Sequence, residues 1–300
     1  MLAGRNDVAP LNYYAGNMKD YSDDGKTLNG AYGYRWRHES VRDYVIDRPG
    51  HYTMFNKDCD QLNILVDHLK ADPTSRRAVL AMWNVEDDLL KVDSSKDVCC
   101  NLNVMFSLRE ETVKGEPDEI WPWKRFLDMT VTNRSNDMIW GMLGANYVHF
   151  TFLQEYMAAR LGVEVGVYHH FTNNLHVYES NWKPEEWLAD QEQMSYKPNT
   201  DCQKLVVNVA DFERELLSVV GNGYGKGIIG TLDSARFKEP FFTDVAIPMI
   251  HTFSSHKDRD YELALKYCGC ITSEDWRIAA TNWIKKRQAN YLKKGAVKDE

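Results

Sequence analysis

Residues 60–70, DQLNILVDHLK, carry apolar side chains at helical spacing and stop ahead of Pro73, so the pattern predicts a helix there. The period then changes. RRAVLAMWNV (76–85) is an apolar run rich in strand formers, and LNVMFSL (102–108) and LDMTVTN (127–133) repeat that character. Between the last two lies REETVKGEPDEIWPWKRF (109–126), polar and containing Gly and Pro, which predicts a long hairpin connection. FTFLQEYMAARL (150–161) has no breaker and sets Phe150, Leu153, Met157 and Leu161 near one face, predicting a mostly buried helix that ends at Gly162. GVYHHFTNNLHVYES (166–180) and CQKLVVNV (202–209) have strand character. Helices and strands in irregular alternation predict an α+β fold, a sheet covered by long helices.

Beyond residue 215 the texture changes to a glycine-rich loop, GNGYGKGIIGTLD (221–233), followed by helical patterns at 257–267 and 273–294. In the last of these Trp276, Ala280, Trp283 and Arg287 follow a spacing of 3.6. The glycine-rich loop lacks the GxxxxGK[ST] order of a phosphate loop and is expected to be a surface loop. We therefore expect one domain over 1–215 and a mostly helical C-terminal extension over 216–300.

The chain has 300 residues, 43% of them hydrophobic, enough to bury a large core without metal or disulfide staples. A formal charge of −8 argues against bulk nucleic acid as a partner, so any anionic ligand has to be caught locally. No apolar run reaches membrane-spanning length, and MLAGRNDVAP lacks the shape of a secretory signal, so a cytoplasmic protein with no membrane partner is expected. The six cysteines show no framework, and the CC and CGC spacings do not match the CxxC knuckles of structural zinc, so no metal is expected. No local signature supports a cysteine protease.

Five segments carry the candidate chemistry: GAYGYRWR (30–37), DPTSRRAVLAMWN (72–84), CCNLNVMF (99–106), TNRSNDMIWG (132–141) and NNLHVY (173–178). Singly each is weak, since a pair such as Arg76-Arg77 is ordinarily a solvated face and Cys100 at a strand start is ordinarily a small core residue. Together, and in this order, they resemble the thymidylate synthase family, which includes the virus-encoded deoxycytidylate hydroxymethylases. The resemblance runs from residue 1 to about 215. It implies a thymidylate synthase-like fold, with one large mixed sheet, and a folate-dependent transfer of a one-carbon unit from 5,10-methylenetetrahydrofolate to C5 of a deoxypyrimidine monophosphate. It also implies a homodimer that shares arginines between subunits, and a cytoplasmic site of action, in the host if the chain is virus-encoded.

The family's site residues carry over to particular positions. Cys100 matches the nucleophile, with Cys99 as packing. Arg76, Arg77, Arg134 and the Ser135 hydroxyl make a phosphate cage, since planar guanidinium groups clamp phosphate well. Arg134 is also the positive charge expected to make the thiolate available near neutral pH. His176 and Tyr178 resemble the pair that holds the ribose hydroxyl, Asp137 the folate-contacting carboxylate, and Trp36 an aromatic wall near the one-carbon site.

Three departures bear on the activity. Asn101 follows the nucleophile where the synthases have histidine; the hydroxymethylases also lack that histidine, which favours hydroxymethylation over the reductive methylation that makes dTMP. Counting forward from Gly141 puts Ala145 at the base-reading position, whereas counting back from Gly162 puts Asn146 there with a one-residue insertion in GMLGAN (141–146). Helix packing tolerates slips worse than a loop tolerates insertions, so Asn146 is preferred, and dUMP over dCMP. MLAGRNDVAPL resembles a family segment that normally follows a strand, an arginine loop and a glutamate-bearing helix, so Met1 is expected to stand at an internal position of the family's chain. A non-catalytic relative that keeps only the nucleotide cage is the alternative of another class.

Overall fold

The computed structural model describes residues 1–48, 51–112, 123–182, 184, 202–225 and 232–296, and the chain divides into two compact units. The first comprises residues 1–12 and 16–182; the second comprises 13–15 and 183–300.

The first unit is built on a four-stranded mixed sheet of order β3-β4-β5-β7. Its strands are β3 (Val79–Ala81), β4 (Asn101–Thr112), β5 (Trp123–Asn133) and β7 (Glu164–Thr172). β3, β4 and β5 run antiparallel, and β7 lies parallel to β5. That last pairing requires a crossover, which α4 (Asn146–Leu161) supplies. A hairpin of β1 (Glu39–Arg48) and β2 (His51–Cys59), and a short parallel pair of β6 (Asn136–Asp137) and β8 (Leu175–His176), complete the strands.

Register separates the two faces of the sheet. Leu80, Val104, Val131 and His170 form one row across the strands, and Phe106, Met129 and Tyr168 the next. This inner face is core: Leu80, Val104, Val131 and Met129 are fully buried. Over it pack α4, which buries Phe150, Leu153, Tyr156 and Met157, and α3 (Gln61–Ala71), which buries Leu62, Leu65, Val66 and Leu69. Asp60 caps α3, accepting from Asn63 N at 3.0 Å, and Gly162 ends α4 with φ +71°, where a Cβ would be strained. The opposite face presents the rows Val79–Met105–Thr130–His169 and Ala81–Asn103–Thr132–Phe171. Val79, Met105 and Phe171 stand exposed on it.

In the second unit, α5 (Val209–Asn222), α6 (Ile247–Lys257), α7 (Tyr261–Cys268) and α8 (Glu274–Ala296) follow in order. Tyr261, Ala264, Cys268, Ile271, Ala280 and Ile284 form a core cluster, with Trp276 and Trp283 packed against it. Thus the face of α8 anticipated from the spacing of Trp276, Ala280 and Trp283 does turn inward.

One sequence expectation is refined and one corrected. The stretch 109–126 does link two antiparallel strands, but its ends, 109–112 and 123–126, are themselves strand, because cross-strand ion pairs (Arg109 with Asp128, Arg125 with Glu110) let a polar stretch ladder. The rest of it, 113–122, lies outside the described residues. Residues 202–208 form no strand: the buried Glu239 carboxylate accepts from Val207 N at 2.6 Å and Asn208 N at 3.0 Å, doing for this backbone what a neighbouring strand would do. Of the expected loop at 221–233, Gly221 and Asn222 close α5 and 226–231 lie outside the described residues.

Candidate active site

The start of β4 and the ends of β5 and β7 meet at one end of the sheet, because Asn101 pairs with Asn133, and Asn133 with Thr172. Backbone bonds carry the junction outward: Arg134 N donates to Cys100 O at 2.9 Å, Asn173 N to Asn133 O at 3.0 Å, and Asn136 N to Asn174 O at 2.9 Å. A bulge between Asn101 and Asn103 breaks the alternation of β4. Regular pleating from the buried Val104 would turn residue 101 to the outer face; the extra residue brings Asn101 inward instead, where it is fully buried. Leu102 O at the bulge accepts from both Met82 N and Trp83 N, which ties the strand after Arg76-Arg77 to the same place.

Cys100 sits half-buried just ahead of β4. Burial pushes its thiol above the ordinary value, Arg134 pulls it down, and Asp97 and Asp88 push it up again. Arg134 is thus the positive charge that the sequence pointed to, but in the chain by itself burial outweighs it. The guanidinium is anchored from behind, Nε donating to Cys99 O and Nη2 to Val98 O, both at 2.9 Å, with the Trp83 ring 5.7 Å away. Three of its five N–H groups remain for a ligand.

Cys99 points the other way. It is buried, its thiol donates to Asn101 O at 3.2 Å, and burial raises it to about 12, which leaves it inert at neutral pH. Its backbone N–H donates to Asp88 at 3.0 Å. Asp88, wholly buried, forms an ion pair with Arg35 of the YGYRWR segment and accepts from Asn84 N at 2.9 Å. Burial pushes the Asp88 carboxyl up, but those hydrogen bonds outweigh it and hold the group below the usual carboxylate range. The pair fixes the backbone immediately before the nucleophile.

After Arg134 and the half-buried Ser135, Asp137 caps a wide π-helical segment, Met138–Ala145, with Oδ1 accepting from Ile139 N and Trp140 N. The segment is not a regular helix, since the backbone kinks at Gly144 (φ −115°, ψ −118°) just before α4 begins. Asn146 follows it, and its Nδ2 donates to Asn136 Oδ1 at 2.9 Å. Asp137 Oδ2 is buried and has no partner among the described residues, which leaves a free acceptor. Asp137 pairs with His176 across β6 and β8, and His176 meets the Tyr178 ring edge-on at 5.2 Å, so both face one side although β8 ends at His176.

The structure therefore brings together Cys100, Arg134, Ser135, Asp137, Asn146, His176 and Tyr178. It does not bring Arg76 and Arg77 to them. Val79 lies opposite Met105, five residues up β4 from Cys100, or about 16 Å at about 3.3 Å per residue. Both arginine side chains are exposed, without a polar partner among the described residues. Trp36 is fully buried against Phe150, 6.3 Å between ring centroids, and presents no surface to a ligand here. The sequence pattern missed Asn133, Asn136 and His170. Asn133 Nδ2 and Asn136 Nδ2 lie 2.8 and 3.1 Å from His170 Nε2. The available signal was small: polar residues on the inward parity of strands that are otherwise apolar.

The family described as thymidylate synthase matches residues 1–228. A deoxyuridylate hydroxymethyltransferase of Pseudomonas phage M6 is 34% identical over 300 residues, covering 97% of this chain and 76% of that protein. One of Bacillus phage SP01 is 37% identical over 220 residues, 72% of this chain and 50% of that protein. The thymidylate synthase of Streptococcus mutans is 29% identical over 196 residues, 64% of this chain and 62% of that protein. The chain thus spans between half and about three quarters of the length of these relatives, which support a folate-dependent one-carbon transferase. With a family match over residues 1–228 and 34% identity across nearly its whole length, the chain belongs to the thymidylate synthase family.

Proposed function

We propose that this protein transfers a one-carbon unit to C5 of dUMP and releases 5-hydroxymethyl-dUMP. The observation that carries this is the setting of Cys100 beside the anchored guanidinium of Arg134, in a chain similar along its length to a phage deoxyuridylate hydroxymethyltransferase. C5 of a pyrimidine is a poor nucleophile. Addition of the Cys100 thiolate to C6 forms the S–C6 bond and moves the ring electrons toward O4, giving an enolate that reacts at C5. C5 bonds to the methylene carbon of the folate co-substrate as that carbon's bond to the folate nitrogen breaks; departure of tetrahydrofolate and loss of the C5 proton then leave an exocyclic methylene on the ring. Water adds to it, and the thiolate leaves as the ring double bond returns. Hydride delivery at the same point from tetrahydrofolate, which becomes dihydrofolate, would give dTMP, the alternative that the streptococcal relative keeps open.

Arg134 and Ser135, joined by Arg76 and Arg77, take the phosphate; His176 and Tyr178 take the ribose hydroxyl. Asn146 reads the base, its amide accepting from N3–H and donating to O4. Bound 5,10-methylenetetrahydrofolate supplies the one-carbon unit, and Asp137 Oδ2, unpartnered among the described residues, is the acceptor that fits its pterin. The exposed sheet face around Val79, Met105 and Phe171, which adjoins the loop carrying Arg76 and Arg77, supports a homodimer that lends these arginines to the partner site. Sedimentation showing a monomer at working concentration counts against it. The phage relatives support action in a host cytoplasm.

Product analysis with dUMP and methylenetetrahydrofolate tests the activity. Hydroxymethyl nucleotide with tetrahydrofolate is expected, and dTMP with dihydrofolate refutes the choice. 5-Fluoro-dUMP should trap the protein covalently, since fluorine cannot leave as a cation, and Cys100→Ser should abolish the adduct while Cys99→Ser keeps it. A parent protein that forms neither product nor adduct is a non-catalytic relative.

A further inference from the structure

The amides around the cluster form one hydrogen-bonded chain whose direction is fixed at one end. Asn101 Nδ2 lies 3.0 Å from Thr132 O and 3.4 Å from Asn103 O. A backbone carbonyl only accepts, so this side of the Asn101 amide is its NH2 group. The same nitrogen is 2.8 Å from Asn133 Oδ1, which must accept, and Asn133 then turns its own NH2 toward His170 Nε2. Nε2 has no choice but to accept. The ring proton is left on Nδ1, 3.0 Å from the Tyr168 hydroxyl that takes it. Burial, which holds His170 below its ordinary value, keeps the ring in this neutral form. The single lone pair of Nε2 is shared by a second donor: Asn136 also turns its NH2 toward it, at 3.1 Å, because its oxygen there would face that lone pair, and Asn136 Oδ1 is left to accept from Asn146 Nδ2.

Each link leaves the next group a single orientation, and the last group is Asn146. With one N–H committed to Asn136, Asn146 keeps its carbonyl oxygen and its second N–H. In that order the two match N3–H and O4 of uracil. An asparagine amide turned over offers the same groups reversed, which suits N3 and the amino group of cytosine. An unrestrained asparagine therefore reads either base. Gly141 leaves room for the last link: a Cβ there would stand 1.9 Å from Asn136 Oδ1 and 3.1 Å from Asn146 Nδ2.

We propose that His170 is a positioning residue for base choice: by accepting from Asn136 it locks the Asn146 amide in the uracil-reading orientation and sets the preference for dUMP over dCMP. The inference rests on Asn146 being the base-contacting residue of the proposed function. It predicts a change in selectivity from a side chain that touches no substrate.

The test compares kcat/KM for dUMP and dCMP in the full chain and in two variants. His170→Phe keeps a ring of similar size without an acceptor, and the dUMP:dCMP ratio should fall about tenfold, chiefly through KM. His170→Gln supplies Oε1 as an acceptor and should restore most of the parental ratio, a rescue that a purely structural role does not predict. An unchanged ratio in folded His170→Phe, or a ratio equally lost in both variants, overturns the proposal. If His170→Phe does not fold, Asn136→Ala removes the link alone; the same fall is expected there, and an unchanged ratio overturns the proposal. A parent protein that turns over dUMP with no loss of selectivity in the variants sinks this inference only, whereas a parent that turns over neither nucleotide sinks the functional assignment and this inference with it.

Discussion

Replacing Arg134 by glutamine tests whether its charge governs the nucleophile. Arg134 Nη2 and the Cys100 sulfur both approach Val98 O, at 2.9 and 4.0 Å, so the two are no more than about 7 Å apart. At that separation a thiolate and a guanidinium attract by about 0.6 to 2.4 kcal/mol for effective dielectric constants between about 80 and 20. Since 1.36 kcal/mol corresponds to about one pH unit, removing the charge should raise the midpoint of the Cys100 thiol by about one unit. The sign follows from the direction of the guanidinium's effect, which is downward. The assay is iodoacetamide alkylation across pH, followed on the Cys100 peptide by mass spectrometry, because the exposed Cys202 and Cys270 also react. Arg134→Gln should alkylate about tenfold more slowly at any pH below the midpoint. Arg134→Lys, which keeps the charge, should fall between it and the parent. A midpoint unchanged or lowered in Arg134→Gln refutes the electrostatic role, whatever happens to phosphate binding.

Two further substitutions probe the scaffold of the site. Gly141→Ala drives a methyl group into Asn136 Oδ1, so a loss of about 1–3 kcal/mol in urea unfolding is expected together with a raised KM for dUMP; unchanged stability and KM would show that the Asn136–Asn146 contact is dispensable. Asp88→Asn leaves the buried Arg35 without its counterion, and a loss of about 3–5 kcal/mol is expected in the same unfolding assay, whereas a near-neutral result would mean that Arg35 reaches water or another anion.

Local physics was legible where it acts within one element. The spacing of Phe150, Leu153 and Met157 and the glycine at 162 specify α4 and its end, and both appear. Where a partner far along the chain decides the outcome, the pattern misled. LVVN at 205–208 has strand propensity, but Glu239 takes its N–H groups. The polar run from Arg109 has loop composition, but Asp128 and the facing strand claim it. The candidate site was legible only as a set of motifs, Cys100, Arg134 and His176 standing in the order that a family match over residues 1–228 contains; the distances among them were not.

The least legible part is the amide chain, for a definite reason. Its members, Asn101, Asn133, Asn136, Asn146 and His170, come from four strands and one helix start, and two irregularities bring them into register. The bulge in β4 turns Asn101 from the outer face to the inner one, and the wide turns before α4, kinked at Gly144, set where Asn146 stands. Periodicity assumes regular elements, so it assigns Asn101 to the outer face and leaves Ala145 and Asn146 as alternatives at the helix start. The bulge relaxes if its extra residue is deleted, because a strand without it satisfies more backbone hydrogen bonds, and a kinked segment likewise forgoes bonds that a regular helix would make. Both persist where polar side chains of the site depend on them. That is the pattern expected when local regularity has been given up for the placement of functional groups.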